Sequence, residues 1–153
     1  MSDGPRGIKQ RMLFIASDHA GFELKENVLE NLKFPGFTLR DLGPENADRV
    51  DYPDYAKKLC REMLKSPDEN VGILICGSGQ GMAMSANRFK GLRAALTWNT
   101  ESTELARAHN NANIICLGAR LIEPQLAVKL IETFLRTPFE GGRHTGRVSK
   151  IEC

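Results

Sequence analysis

The chain has 153 residues, 41% hydrophobic and 26% charged, an ordinary composition for a soluble globular protein able to bury one core. Its 21 basic and 19 acidic residues leave a formal net charge of +2, which gives no reason to expect nucleic-acid or membrane binding. No apolar run approaches the roughly 20 residues needed to cross a bilayer.

Residues 1–11 are polar, lack the apolar stretch of a secretion signal, and read as a disordered lead-in. The apolar run Met12 to Ser17 predicts a first strand. In Phe22 to Leu32, Leu24, Val28 and Leu32 recur every four residues and predict a helix with one apolar stripe. Thr38 to Leu42 is a weaker strand. Tyr52 to Leu64 is a helix that gathers Ala56, Leu59, Cys60 and Met63 on one face. Val71 to Cys76 is a buried strand, Gly81 to Phe89 a helix, Arg93 to Thr97 a strand, Glu101 to His109 a helix, and Asn113 to Gly118 a fifth strand. The last helix begins at Pro124, a residue suited to a first turn, carries a stripe from Leu126 to Leu135, and is closed by Pro138. From Phe139 the chain is glycine-rich and basic, and reads as a positioned arm, residues 139–153.

Alternation of strand and helix predicts a three-layer α-β-α, Rossmann-like fold. A five-stranded parallel sheet would carry helices on both faces, all within one domain, residues 12–153. In such sheets ligands bind at the carboxyl ends of strands, where the strand order switches. That rule gathers Asp18-His19, Cys76 to Gly81, Thr97 to Asn99 and Gly118 to Arg120 along one edge.

The loop Cys76-Gly77-Ser78-Gly79-Gln80-Gly81 carries the strongest chemical signal. Glycines let the backbone approach a ligand, and a following helix start offers N–H groups to negative charge. A cysteine at its mouth sits where a thiolate is stabilised. The spacing is neither GxGxxG nor that of a P-loop, so neither nucleotide fingerprint is present. Cys60 and Cys116 fit helix-face and strand-core positions. With no CxxC, no zinc spacing and no secretion signal, a reducing cytoplasm is the expected compartment. Asp18 and His19 fit either substrate binding or capping of the next helix. His109-Asn110 fits either proton transfer or a helix C-cap. Arg143 and Arg147, with Arg120 upstream, suit bidentate phosphate binding but also a solvated basic tail.

Seven segments together resemble the type B ribose-5-phosphate isomerase family, which includes the galactose-6-phosphate isomerase subunits. They are SDHAGF at 17–22, DYPDYA at 51–56, GILICGSGQG at 72–81, ANRFKGLRA at 86–94, ARAHNNAN at 106–113, GAR at 118–120 and GGRHTGR at 141–147. The resemblance implies a reversible aldose–ketose isomerisation of a sugar phosphate, with no metal or organic cofactor. It implies Cys76 as the base that moves a proton between carbons 1 and 2. Ser78 and the backbone from Gly77 through Gly79 to Gly81 would hold the enediolate. His109 would open the sugar ring, with Asn110 beside it. Asp18 would help to bind substrate, and His19, Arg120, Arg143 and Arg147 would take the phosphate. It further implies a homodimer or homotetramer whose sites combine two subunits. Ribose 5-phosphate is the expected substrate. A six-carbon sugar phosphate such as galactose 6-phosphate or allose 6-phosphate, or a non-catalytic sugar-phosphate-binding module, stays open. A cysteine hydrolase would lack an evident third residue to orient His109.

Overall fold

The computed structural model describes residues 10–152. Most of the expected lead-in, residues 1–9, lies outside the described residues, as does Cys153. Arg11 belongs not to a lead-in but to the first strand. Its N–H donates to the Gly36 carbonyl, and its guanidinium lies over the Phe37 ring.

The elements run β1 (Arg11–Ser17), α1 (Phe22–Asn31), β2 (Phe37–Asp41), α2 (Tyr52–Met63), β3 (Val71–Cys76), α3 (Gln80–Ala86), β4 (Ala94–Leu96), α4 (Thr100–Ala108), β5 (Ile114–Gly118), α5 (Pro124–Arg136) and α6 (Arg143–Ser149). The five strands form one parallel sheet in the order β2-β1-β3-β5-β4. Every expected strand and helix is present, with ends moved by one to three residues. The exception is α6, which forms where an arm was expected. Gly141 and Gly142 hold φ of 69° and 57°, which turns the chain out of its loop. The buried His144 side chain then pins the following turn. Gly146 inside the segment hides this helix from a propensity reading.

The period of two along each strand divides the core. Leu13, Ile15, Val71, Ile73, Ile75, Ile115 and Leu117 face the layer of α1, α4 and α5. Their neighbours Phe14, Ala16, Leu74, Cys76, Ile114 and Cys116 face α2 and α3. This fits a single crossover hand. Steps toward the β2 end of the sheet carry their helix on one face, and steps toward the β4 end carry it on the other. The chain leaves β1 over one face and leaves β3 over the opposite face, so a switch point lies between these adjacent strands.

Strand register levels that edge. Ser17 pairs with Ile75, and Cys76 pairs with Gly118, so β1, β3 and β5 end together. The turn after β1 is held at this level by the Asp18 N–H, which donates to the Ile75 carbonyl.

One buried charge ties the outer strand to its neighbour. Lys25 on α1 has no exposed side-chain surface. Its Nζ donates to both Asp41 oxygens at 2.9 and 3.0 Å and to Glu26 at 3.1 Å. Asp41 is the last residue of β2, so the pair fastens the edge strand to α1. Removing one partner of a buried pair costs more than the pair contributes, because a charge is left without compensation. Asp41→Ala is expected to lower unfolding free energy by about 2 kcal/mol, below the roughly 3–5 kcal/mol of a fully buried pair because Glu26 remains and Asp41 is partly exposed. Lys25→Met, which removes the charge and keeps the volume, should cost less. Urea denaturation of the two variants checks the order, and equal costs would show that the ion pair is not what holds β2.

Candidate active site

At the carboxyl edge of β1, β3 and β5 lies a cleft of about 480 Å³. Asp18, His19, Cys76, Gly77, Ser78, Gly81 and Arg120 line it. Each is delivered by the turn after one of the three central strands. The fourth segment expected at this edge, Thr97 to Asn99, does not line the cleft. Asn99 caps α4 instead, accepting from the Ser102 N–H at 2.7 Å.

Cys76 ends β3 and is 4% exposed. Its Sγ accepts a hydrogen bond from the Gly79 N–H at 3.2 Å, so the loop turns a donor onto the sulfur. Gly79 reaches that position with φ of 79°, a conformation costly to residues with a Cβ. Burial pushes the Cys60 thiol up to about 12 and raises Cys116 well above the ordinary range, with Cys76 and Cys60 adding repulsion at Cys116. These two thiols therefore stay protonated and act as apolar packing. Of the three free cysteines among the described residues, Cys76 alone lines the cleft.

Asp18 holds the turn that leads into α1 and also faces the cleft. One oxygen accepts from the Gly21 N–H at 2.9 Å at the start of α1, and the buried side chain also lines the cleft. His19 is anchored through Nδ1 on the Val50 backbone, 3.0 Å from the carbonyl oxygen and 3.2 Å from the nitrogen. Its Nε2 has no partner among the described residues. The Arg120 N–H donates to the Gly77 carbonyl. Its guanidinium lies across Gly77, with Nη1 2.8 Å from where a Cβ would stand. The floor thus holds a thiol, a carboxylate, an imidazole and a guanidinium around a glycine turn, an arrangement suited to an anionic substrate that exchanges a proton.

His109, Asn110, Arg143 and Arg147 are not brought to this cleft. His109 is the C-cap of α4, a helix that starts at the carboxyl edge and returns to the opposite one. A five-residue strand, about 15 Å, separates the two edges. There His109 stacks on His144 with ring centroids 4.2 Å apart and planes 14° apart. Glu140 approaches both, at 3.6 Å from His144 Nε2 and 3.8 Å from His109 Nε2. Arg143 and Arg147 are exposed on α6, one turn apart. The donor atoms of His109, Glu140 and His144 lie within 4.8 Å of one another, close enough to consider a metal ion. The nearly parallel rings do not aim both nitrogens at one point, so the set fits a metal poorly.

Residues not singled out from the sequence also belong here. Tyr52, Met84 and Leu121 line the cleft. Tyr52 was legible from topology, because the helix after β2 must begin at the same edge. His144 and Glu140 flank His109 through a turn that no sequence pattern revealed.

The chain matches the family model described as Ribose/Galactose Isomerase over residues 13–151. It is 45% identical to the probable ribose-5-phosphate isomerase B of Mycoplasma genitalium over 140 residues, covering 91% of this chain and 92% of the relative. A crystal structure of a ribose 5-phosphate isomerase from Thermotoga maritima superposes with a TM-score of 0.87 at 49% identity, covering 93% of this chain and 97% of that one. The Mycoplasma genitalium enzyme with bound ribulose 5-phosphate superposes with a TM-score of 0.87 at 44% identity, covering 92% and 93%.

Two glycines test how tightly the cleft is built. A Cβ at Gly118 would stand 2.7 Å from the Ser78 carbonyl oxygen, whereas one at Gly77 would meet the movable end of Arg120. Gly118→Ala is expected to cost about 1–3 kcal/mol, as overpacking against fixed backbone does. Gly77→Ala should leave the urea midpoint nearly unchanged. A second test concerns His144. Burial first, then the charges of Arg143, His109 and Arg147, hold its imidazole below the ordinary histidine range, with Glu140 opposing. The unfolded chain therefore takes up this proton at higher pH than the folded one. His144 contributes stability above pH about 6.5 that is lost as pH falls through its depressed folded value. His144→Phe should flatten that limb of the stability–pH curve. An unchanged limb would show that His144 is not the group responsible.

Proposed function

Because this chain belongs to the ribose/galactose isomerase family, we propose that it interconverts ribose 5-phosphate and ribulose 5-phosphate. The reaction class is aldose–ketose isomerisation of a sugar phosphate. The observation that carries the residue roles is Cys76 Sγ at the cleft floor, under the Gly79 N–H and beside the Arg120 guanidinium.

The chemistry runs in two parts. The furanose must open first. An acid protonates the ring oxygen as the anomeric hydroxyl loses its proton, the bond from carbon 1 to the ring oxygen breaks, and an aldehyde forms. A histidine suits this exchange near neutral pH, and His109 takes that role, with Asn110 on the sugar hydroxyls. The Cys76 thiolate then removes the proton from carbon 2. The electron pair forms the C1–C2 double bond of a cis-enediolate, and its charge passes to oxygen 1. Ser78 and the backbone from Gly77 through Gly79 to Gly81 offer fixed dipoles to that charge, which need no reorganisation as it develops. The proton on oxygen 2 passes to oxygen 1, Cys76 returns its proton to carbon 1, and the carbonyl that forms at carbon 2 completes the ketose. Asp18 helps to hold the substrate. His19, Arg120, Arg143 and Arg147 hold the phosphate, a remote group whose binding can still lower the barrier at the reacting carbons.

These residues meet only if two copies of the chain do. His109, Asn110 and α6 stand at the sheet edge away from Cys76, so a second copy in a homodimer or homotetramer supplies them. Leu121 and Met84, 68% and 67% exposed at the cleft, offer apolar surface for it to cover. A reducing cytoplasm suits a base that must remain a free thiol.

Cys76→Ala should lower turnover of ribose 5-phosphate by about 10³-fold with the fold retained, the scale of a lost proton-transfer group. Cys76→Ala and His109→Ala chains, each inactive alone, are expected to recover activity when co-refolded. Random pairing makes about half the dimers hybrid with one intact site of two, so about a quarter of native activity should return. A mixture as inactive as its parts would sink the shared site. Near-native turnover by Cys76→Ala would instead remove Cys76 as the base.

A further inference from the structure

At the amino ends of the strands, opposite the cleft, lies a smaller and more enclosed pocket of about 160 Å³. Three arginines line it, Arg11 at the start of β1, Arg93 just before β4, and Arg107 in the last turn of α4. We propose that this pocket is a second anion site, separate from the one that takes the substrate's phosphate, and that its ligand is a tetrahedral oxyanion such as phosphate, free or at the end of a small ester.

The guanidiniums are built into place. Arg11 Nε donates to the Glu69 carbonyl at 2.9 Å, and its plane lies over the Phe37 ring, 5.2 Å from the centroid. Arg107 Nε donates to the Thr137 carbonyl at 3.1 Å, and its Nη1 donates to Asn111 Oδ1 at 2.9 Å and to the Ala112 carbonyl at 2.6 Å. Its plane lies over Phe134. Arg93 Nε donates to the Asn111 carbonyl at 2.9 Å. Each arginine is thus anchored by Nε, and neutral carbonyl or amide oxygens do the anchoring. Planar guanidiniums so held keep terminal N–H groups for a ligand, in the geometry that suits oxyanions.

None of the three forms an ion pair with a carboxylate among the described residues. Asp68 also lines the pocket, outside ion-pair distance of the arginines. Burial, and then the charges of Arg11 and Arg93, press the Arg107 value downward, which is the cost of gathering like charges in one pocket. A doubly charged oxyanion would relieve that repulsion. The substrate's phosphate group does not account for these arginines, since the residues proposed for it are His19, Arg120, Arg143 and Arg147. Asn111 links the pocket to the neighbouring turn. It accepts from both Arg93 and Arg107, holds φ of 49°, and stands two residues after His109.

The test is equilibrium dialysis of labelled inorganic phosphate against a variant carrying Arg120→Ala, Arg143→Ala and Arg147→Ala, in which every arginine proposed for the substrate's phosphate is removed. Saturable binding of one phosphate per chain, at the pocket of Arg11, Arg93 and Arg107, is expected to persist there. Adding Arg93→Met should weaken it at least about 10-fold, as loss of a charge-assisted pair does. Arg11→Met, which gives up one carbonyl contact and the stack on Phe37, should weaken it likewise and serves if Arg93→Met fails to fold. Competition by glycerol 2-phosphate would extend the ligand class to esters, and its absence would restrict it to the free anion. Either result keeps the site. No binding to the triple variant, or binding indifferent to Arg93 and Arg11, would overturn it.

Discussion

A parallel sheet has two edges of different chemistry, and that polarity organises this molecule. All strands point one way, so every strand-to-helix turn arrives at one edge and every helix-to-strand turn at the other. The register then levels the carboxyl edge, where three turns meet around Cys76. The same rule carries α4 away and leaves its C-terminal histidine on the far side. Under the proposed reading, one chain therefore holds both halves of a proton-transfer site without being able to join them.

The two edges also differ in how charge is handled. At the carboxyl edge the loop supplies aligned donors and a single guanidinium, an environment for charge that appears and moves. The opposite edge holds fixed positive charge on Arg11, Arg93 and Arg107, tied by neutral oxygens, which suits a charge that stays. The His109–His144 stack lies beside that second environment, joined to it through Asn111. Under the proposed reading, ring opening thus depends on a turn whose shape is fixed by arginines outside the reacting centre.

Much of the fold was legible because its signals are local. Alternation along β1, β3 and β5, the four-residue stripe of α1, and the prolines at either end of α5 each report on structure within a few residues. The carboxyl edge was legible for a further reason, since topology alone sends the turns after β1, β3 and β5 to one place. What escaped depends on contacts far apart in sequence. α6 is held by the burial of His144 against His109, 35 positions away by their residue numbers. The Lys25–Asp41 pair looks on paper like two surface charges. The arginine pocket joins residues from three separate segments, none of which carries a motif.

The glycine corner of the cleft constrains how this protein can change over generations. Gly21 sits against the Ile75 carbonyl, Gly118 against the Ser78 backbone, and Gly81 against the Tyr52 ring, each closer than a Cβ allows. Gly21 and Gly118, which face fixed backbone, are therefore closed to any larger side chain whatever the function asks. Tyr52, Met84 and Leu121 stand at the exposed rim under no such restriction. Divergence toward sugars of other length or stereochemistry has these rim positions as its open route, while the reacting centre passes unaltered from one descendant to the next.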